Sequence, residues 1–240
     1  IGGGTANFYL MRVLDNYRGD IGAINDRLIV GNPVGGGSKC YIHHGGPGRM
    51  FLERSVEANP VFLLCDSANP VDAVSMIGPA AGGTTSVYMR RGRGYFGDGL
   101  ILQDFKQDPI SDALTISHIE GNSTLRGSLK INGGTAFLGL GDLHPSVYDP
   151  RFIINGGQAI YRGTADVGRL DLNGGEYLHI STADLSELHI EAGRADFTQD
   201  ESAKTIAFAV IGQNGEFYKH SNVTVTETID LREPFPFTIP

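Results

Sequence analysis

Residues 152–208 read FIINGGQAIYRGTADVGR (152–169), LDLNGGEYLHISTADLSE (170–187), LHIEAGRADFTQDESAKT (188–205) and IAF (206–208). Phe152, Leu170, Leu188 and Ile206 stand 18 residues apart, as do Ile154, Leu172, Ile190 and Phe208. Asn155-Gly156-Gly157 falls on Asn173-Gly174-Gly175 and then on Glu191-Ala192-Gly193, and Thr164-Ala165-Asp166 falls on Thr182-Ala183-Asp184. An earlier copy, Leu129-Lys130-Ile131-Asn132-Gly133-Gly134, precedes these after a longer gap. A fixed period of this size marks a stacked array. One copy cannot hide its own apolar pairs; it needs the next copy laid on it.

Leu170-Asp171-Leu172 alternates as a strand does, with two apolar side chains on one face. Asn-Gly-Gly then bends the chain, because Asn and Gly tolerate positive φ. Strand, bend, strand, bend, with equivalent positions stacked ~4.8 Å apart, is a parallel β-helix. An antiparallel meander of look-alike hairpins is the competing arrangement, but hairpins rarely hold one period over three copies. The left-handed hexapeptide helix requires an aliphatic residue every sixth position. After Leu170 those places hold Glu176 and Thr182, so a right-handed, single-stranded coil is expected.

The chain has 240 residues, 40% of them hydrophobic, with 34 Gly, 11 Pro, no Trp and a formal charge of −8. That is apolar enough for a core and rich in turn formers, and the absence of a Gly-X-Y period excludes collagen. The negative charge argues against non-specific nucleic-acid binding. No apolar run approaches the ~20 residues of a membrane span, so neither nucleic acid nor membrane is an expected partner. Cys40 and Cys65 lie in apolar runs and are expected as two buried, reduced thiols.

Three regions follow: an N-terminal cap or arm (1–27), the β-helix (28–215, with regular coils at 152–208), and a C-terminal strand and arm (216–240). In the first, Asn7–Leu14 is compatible with a short helix capped by Asn7, covering the open end of the solenoid. Arg18-Gly19-Asp20 spells an adhesion tripeptide, a combination too short to carry weight. From Leu28 to Phe105, apolar runs of three or four residues alternate with Gly, Pro and Asn, as short strands do. The insertion at 139–151 interrupts the array, and after Gly212 the period is lost. Val223-Thr224-Val225-Thr226 is a last strand. The tail Glu233-Pro234-Phe235-Pro236-Phe237-Thr238-Ile239-Pro240 is extended by its prolines, and Phe235, Phe237 and Ile239 make it a candidate interaction element.

Val74-Ser75-Met76-Ile77-Gly78-Pro79, Tyr95–Phe105 (YFGDGLILQDF) and Leu114–Gly121 (LTISHIEG) resemble successive coils of the pectate-lyase-like right-handed β-helix proteins. The resemblance covers roughly residues 60–215 and rests on an apolar-x-apolar-x-Gly pattern. It implies a fold shared by polysaccharide lyases and hydrolases, phage tailspikes and other virion proteins, so function must come from the residues themselves.

Those residues supply few sites. Asp166 and Asp184 occupy the same place on adjacent coils, ~5 Å apart, a spacing that suits a retaining glycosidase pair. The Thr-Ala before each and the aliphatic after it are what a turn-forming Asp looks like. Asp98, Asp104, Asp142 and Asp149 fall in loops without an evident pairing. Arg90, Arg91 and Arg93 form the one basic run, suited to an anionic sugar or to salt bridges within an acidic molecule. His43-His44 before Gly-Gly reads as a solvated turn, with half a metal site as the sharper alternative. His179 and His189 fall on different parts of a coil. Asn122 and Asn222 head glycosylation sequons. No serine elbow, phosphate loop or dinucleotide fingerprint is present, and no catalytic residue, cofactor or metal is assigned. The expectation is a non-enzymatic structural protein of a virion, of phage type: a decoration, tail or spike subunit. It would associate with itself as a homotrimer and with other virion proteins, and a surface glycan is a further candidate partner. A polysaccharide lyase or hydrolase, a glycan-binding adhesin and a bacterial cell-surface protein are the alternatives.

Overall fold

The computed structural model describes residues 4–5, 10–13, 18–30, 39–54, 60–69, 71–78, 83–110, 114–143 and 151–232. Within them the chain is all-β. In chain order the strands begin with β1 (Gly4–Thr5), β2 (Leu10–Val13), β3 (Leu28–Val30), β4 (Cys40–His44), β5 (Met50–Arg54), β6 (Val61–Asp66) and β7 (Val74–Ile77). They continue as β8 (Thr85–Gly97), β9 (Ile101–Gln107), β10 (Thr115–Ile119), β11 (Thr124–Leu125), β12 (Ser128–Ile131), β13 (Thr135–Leu138) and β14 (Asp142–Leu143). The last are β15 (Arg151–Ile154), β16 (Gln158–Tyr161), β17 (Val167–Leu172), β18 (Glu176–His179), β19 (Leu185–Phe197), β20 (Lys204–Lys219) and β21 (Val223–Asp230).

All ladders between these strands are parallel, and they form two long faces of a solenoid. The first face runs β2–β4–β6–β8–β9–β12–β15–β17–β19–β20–β21. The second runs β1–β3–β5–β7–β8–β10–β13–β16–β18–β19–β20. A short third ladder, β9–β11–β14, fills one corner. The long strands β8, β19 and β20 belong to both faces because each turns a corner. In β8 the turn is at Gly92, whose φ is +92°.

Parallel stacking puts equivalent side chains directly above one another. Ile42, Leu63, Val87, Phe105, Leu129, Phe152, Leu170, Leu188 and Ala209 form one such interior column, every member buried. On the second face the column is Leu28, Leu52, Met76, Phe96, Ile119, Leu138, Tyr161 and His179, and Phe197 stacks on the His179 ring at 4.8 Å. The alternation expected from Leu170-Asp171-Leu172 holds with one modification: Asp171 faces outward yet is buried beneath arginines.

The bends also stack. Asn155 Nδ2 donates to Asn132 Oδ1 (2.8 Å) and Asn173 Nδ2 to Asn155 Oδ1 (2.9 Å). Gly134, Gly157, Gly175 and Gly193 all have positive φ, and a Cβ on Gly157, Gly175 or Gly193 would collide with the carbonyl of the glycine beneath.

The structure corrects three sequence-based expectations. Leu10–Val13 is a strand in parallel register with Tyr41–His44, not part of a helix. Its alternate residues meet a sheet edge that would otherwise be open, which outweighs the local helical spacing. The last regular register is displaced by three: Leu188 pairs with Ala209 and Ile190 with Ile211, while Ile206 pairs with Leu185 and Phe208 with Glu187. The reason is the turn at residues 198–203, longer than its counterparts and organised by side chains. Asp196 Oδ1 accepts from Thr198 N (2.8 Å), Asp200 Oδ1 from Ser202 N (2.7 Å), and buried Lys204 donates back to Asp200 O (3.1 Å). Phe208 therefore faces outward, edge-on to His189. The 18-residue period is lost after Gly212, yet the ladder continues, with Asn214–Lys219 in register with Ala192–Phe197. Finally, His43-His44 ends strand β4 and is not a solvated turn.

Candidate functional site

With the interior closed, chemistry can only come from the outward positions. On the first face two outward columns run the length of the solenoid. One contains Tyr41, Phe62 and Ser86, then Ser128, Arg151, Arg169, Glu187 and Phe208. The other contains Arg12, His43, Leu64, Tyr88, Lys106, Lys130, Ile153, Asp171, His189 and Val210.

The two ends of this face differ in chemistry. Toward the C-terminus it is closed by ion pairs. Arg151 and Arg169 both hold Asp171, Arg169 Nη1 also reaches Glu187 (3.3 Å), and His189 Nε2 lies 3.3 Å from the same Glu187 oxygen. Burial alone would raise the Asp171 pKa, but its two guanidinium partners hold it below the usual carboxylate value. Each of these pairs joins adjacent coils or lies within one.

Toward the N-terminus the same columns are aromatic and apolar. Tyr41 and Phe62 stack with centroids 5.0 Å apart. With Leu64, Tyr88, His43 and Ser86 they line an open groove of about 390 Å³ across β4, β6 and β8. Cations frame it. Lys39 Nζ stands 5.7 Å over the Phe62 ring and Lys106 Nζ 4.7 Å over Tyr88. Tyr88 Oη donates to Asp108 (2.9 Å), which Lys106 also contacts, and Asn132 bonds the same carboxylate. These hydrogen bonds, from Lys106 first, hold the Asp108 pKa at about 2. Tyr88 is thereby fixed with its ring presented to the groove.

A second groove, of about 460 Å³, opens on the other face near β5, β7 and β8. Arg27 and Arg49 both lie over the Phe51 ring, at 5.9 and 5.4 Å from its centroid. Both arginines are committed: Arg27 donates to Leu52 O, Ser75 O and Ser75 Oγ, and Arg49 pairs with Asp20 (2.7 Å). Asp20, the last residue of the adhesion-like tripeptide, also accepts the Arg49 backbone N–H. Tyr95 lines this groove, and burial, reinforced by Asp98 and Glu120, raises its hydroxyl pKa.

The residues singled out from the sequence are placed as follows. Arg90 and Arg91 both reach Asp66, at 3.7 and 3.3 Å. Arg93 lies beyond the Gly92 corner, opposite Ile116 on the other face, so the basic run does not form one patch. Phe235, Phe237 and Ile239 lie outside the described residues, as does Asp149. Asp166 Oδ1 accepts the N–H of Asp184 (2.9 Å), and Asp184 Oδ1 that of Thr205 (2.6 Å), so both tie one coil to the next. Asp104 Oδ1 accepts from the backbone and hydroxyl of Ser128 (both 2.9 Å), and Asp98 sits in a turn with φ +52°. His43 points into the aromatic groove while His44 points inward, where burial lowers its pKa. Cys40 and Cys65 are buried, reduced thiols, and burial pushes the Cys65 thiol up to about 12. His179 is interior, accepting from Tyr177 Oη at Nδ1 (2.9 Å) and donating from Nε2 to Ala183 O (3.0 Å). Among the described residues no group of three or more His, Cys, Asp or Glu is arranged to hold a metal ion.

The aromatic groove was missed at the sequence level. Its signal was available: Cys40–His44, Val61–Asp66 and Thr85–Met89 carry bulky apolar residues at outward positions as well as inward ones. Only the register shows that Tyr41, Phe62, Leu64 and Tyr88 converge. Compared with known proteins, the chain matches no family model, no curated protein and no solved structure.

Proposed function

We propose that this protein is a non-enzymatic structural subunit of a virion, of the spike, tail or decoration type, that assembles with copies of itself and with other virion proteins. The observation that carries the reading is the contrast along the first face. One end is closed by its own ion pairs; the other presents Tyr41, Phe62, Leu64 and Tyr88 as a contact surface. Exposed contiguous apolar side chains rimmed by polar ones mark interaction surfaces. The commitment of Asp166, Asp184, Asp104 and Asp171 to structural bonds adds support, since each carboxylate serves the scaffold. A long parallel solenoid tied coil to coil suits a rigid, exposed particle component. The virion assignment itself rests on fold-level analogy.

The test is sedimentation of the purified chain across a wide concentration range, together with localisation in native particles by antibody labelling. Concentration-dependent self-association and a fixed position on a particle are expected. A chain that stays monomeric and depolymerises a polysaccharide, with that activity lost in Asp166→Asn/Asp184→Asn, overturns the reading in favour of a lyase or hydrolase.

A further inference from the structure

We infer that the aromatic groove of β4, β6 and β8 is the receptor for the Pro234–Pro240 arm of a second copy of this chain. The inference rests on the assembling-subunit reading above and specifies the contact. Its first ground is the chemistry of the two surfaces. The arm alternates proline or threonine with Phe235, Phe237 and Ile239, a pattern that favours an extended, polyproline-like form with low ordering cost. Such segments are bound by shallow grooves walled with aromatic rings, which accept proline and aromatic side chains in alternate slots. Tyr41, Phe62 and Tyr88 supply the rings and Leu64 the aliphatic wall.

Charge is the second ground. Glu233 leads the arm, and the groove's rim carries Lys39 over Phe62, with Arg12 paired beside His43. A basic rim on an acidic molecule suits an occupant with an acidic lead residue.

The third ground is reach, which decides between the chain's own arm and a neighbour's. Residue 232 lies beside the last coils: Leu231 N bonds to Ile211 O (2.8 Å) and Arg232 donates to Gly215 O (3.4 Å). Between β21 and the nearest groove strand, β8, lie β20, β19, β17, β15, β12 and β9. At ~4.8 Å per ladder spacing the separation is about 34 Å. Ile239 stands seven residues beyond Arg232 and reaches at most about 25 Å fully extended, and Phe235 only about 11 Å. The arm therefore cannot fill its own groove. Copies aligned side by side in parallel and in register would leave the same gap, so this contact excludes an in-register parallel trimer. It requires a neighbour that is displaced along the axis or reversed. The contact joins two different surfaces, so a displaced neighbour continues as a file of copies, whereas a reversed one closes as a pair with two arms in two grooves.

The experiment uses the full chain and three variants: Phe62→Asp in the groove, Phe235→Ser/Phe237→Ser in the arm, and all three substitutions together. Sedimentation velocity should show wild-type association weakened about tenfold or more by either set alone, as loss of a central aromatic anchor does. Mixing the groove variant with the arm variant should restore association between the two, because one partner still offers an arm and the other a groove. The triple variant should rescue neither wild-type-like assembly nor, by itself, any dimer. Should Phe62→Asp lower the melting midpoint by more than a few degrees, Tyr41→Ser, at a ring 44% exposed, replaces it. Loss of association in only one of the two single-surface variants overturns the proposal, as does failure of the mixture to associate. Full association in both variants overturns it too, while leaving the assembling-subunit reading intact. A wild-type chain that is monomeric at every concentration removes both.

Discussion

His179 is a histidine whose chemistry is strongly altered by its surroundings. It occupies a column of otherwise apolar or aromatic side chains, both ring nitrogens are bonded, and burial lowers its pKa to about 4. The folded protein holds it neutral, whereas the unfolded chain protonates it below ~6.5. Unfolding therefore takes up a proton in that window. The His179 contribution is present in full above pH 6.5 and is lost as pH falls toward 4, a loss on the order of 3 kcal/mol across the window. Urea titrations at pH 7.5, 6.0 and 5.0 should show this decline in the wild type and a flatter profile in His179→Phe. The variant will be less stable at neutral pH, because Tyr177 Oη loses its acceptor. His44 acts in the same direction but is common to both proteins, so their difference isolates His179. A wild-type profile parallel to the variant's would refute the assignment.

At the scale of the coil, stability depends on identical positions meeting their equivalents. Leu188 lies in the column between Leu170 and Ala209 and is fully buried. Leu188→Ala should cost about 2–5 kcal/mol, because rigid neighbours above and below cannot close the cavity; chemical denaturation reads this directly. The bends obey a stricter rule. Gly175 has φ +76°, and an added Cβ would meet the Gly157 carbonyl. Gly175→Ala combines left-handed strain with that collision and should cost more than the ~1 kcal/mol of strain alone. A change below 0.5 kcal/mol would show that the bend can relax outward. These bends were legible in advance, since Asn-Gly-Gly repeats in phase with the strands. The bonds that use them, Asn132 to Asn155 to Asn173, needed the register. The turn at 198–203 was misjudged for a related reason. Leu188, Ile190, Ile206 and Phe208 sustain the 18-residue spacing by composition alone, while Asp196, Asp200 and Lys204 organise an insertion that side-chain bonding makes inexpensive.

For the whole molecule, the parallel ladder carries the fold, and residues 233–240 follow its last described strand in the sequence. Deleting 233–240 should leave a folded protein whose melting midpoint moves by no more than a few degrees, with self-association weakened. Circular dichroism and sedimentation separate the two outcomes. A truncated chain that unfolds or aggregates as a monomer would make the arm a cover for its own last coil. The ion-pair network of Arg151, Asp171, Arg169 and Glu187 should matter little to this comparison, because it stitches β15, β17 and β19 and has no member on β21.

Period, bend chemistry and alternation belong to the chain itself. They determined a parallel solenoid, the interior columns from Leu129 to Leu188 and the turn role of Asp166 and Asp184, because each depends on residues within one coil of their partners. The N-terminal coils were legible as short strands but not in their register, because paired residues there are unevenly spaced: 31 residues from Leu10 to Tyr41, 21 from Cys40 to Val61, 24 from Val61 to Thr85. Without a period, neither the strand at Leu10–Val13 nor the outward convergence of Tyr41, Phe62, Leu64 and Tyr88 can be read from order alone. Only tertiary stacking decided which side chains share an outer column. A one-residue change of register moves every side chain to the opposite face, and each loop length resets that register independently of the strands it joins.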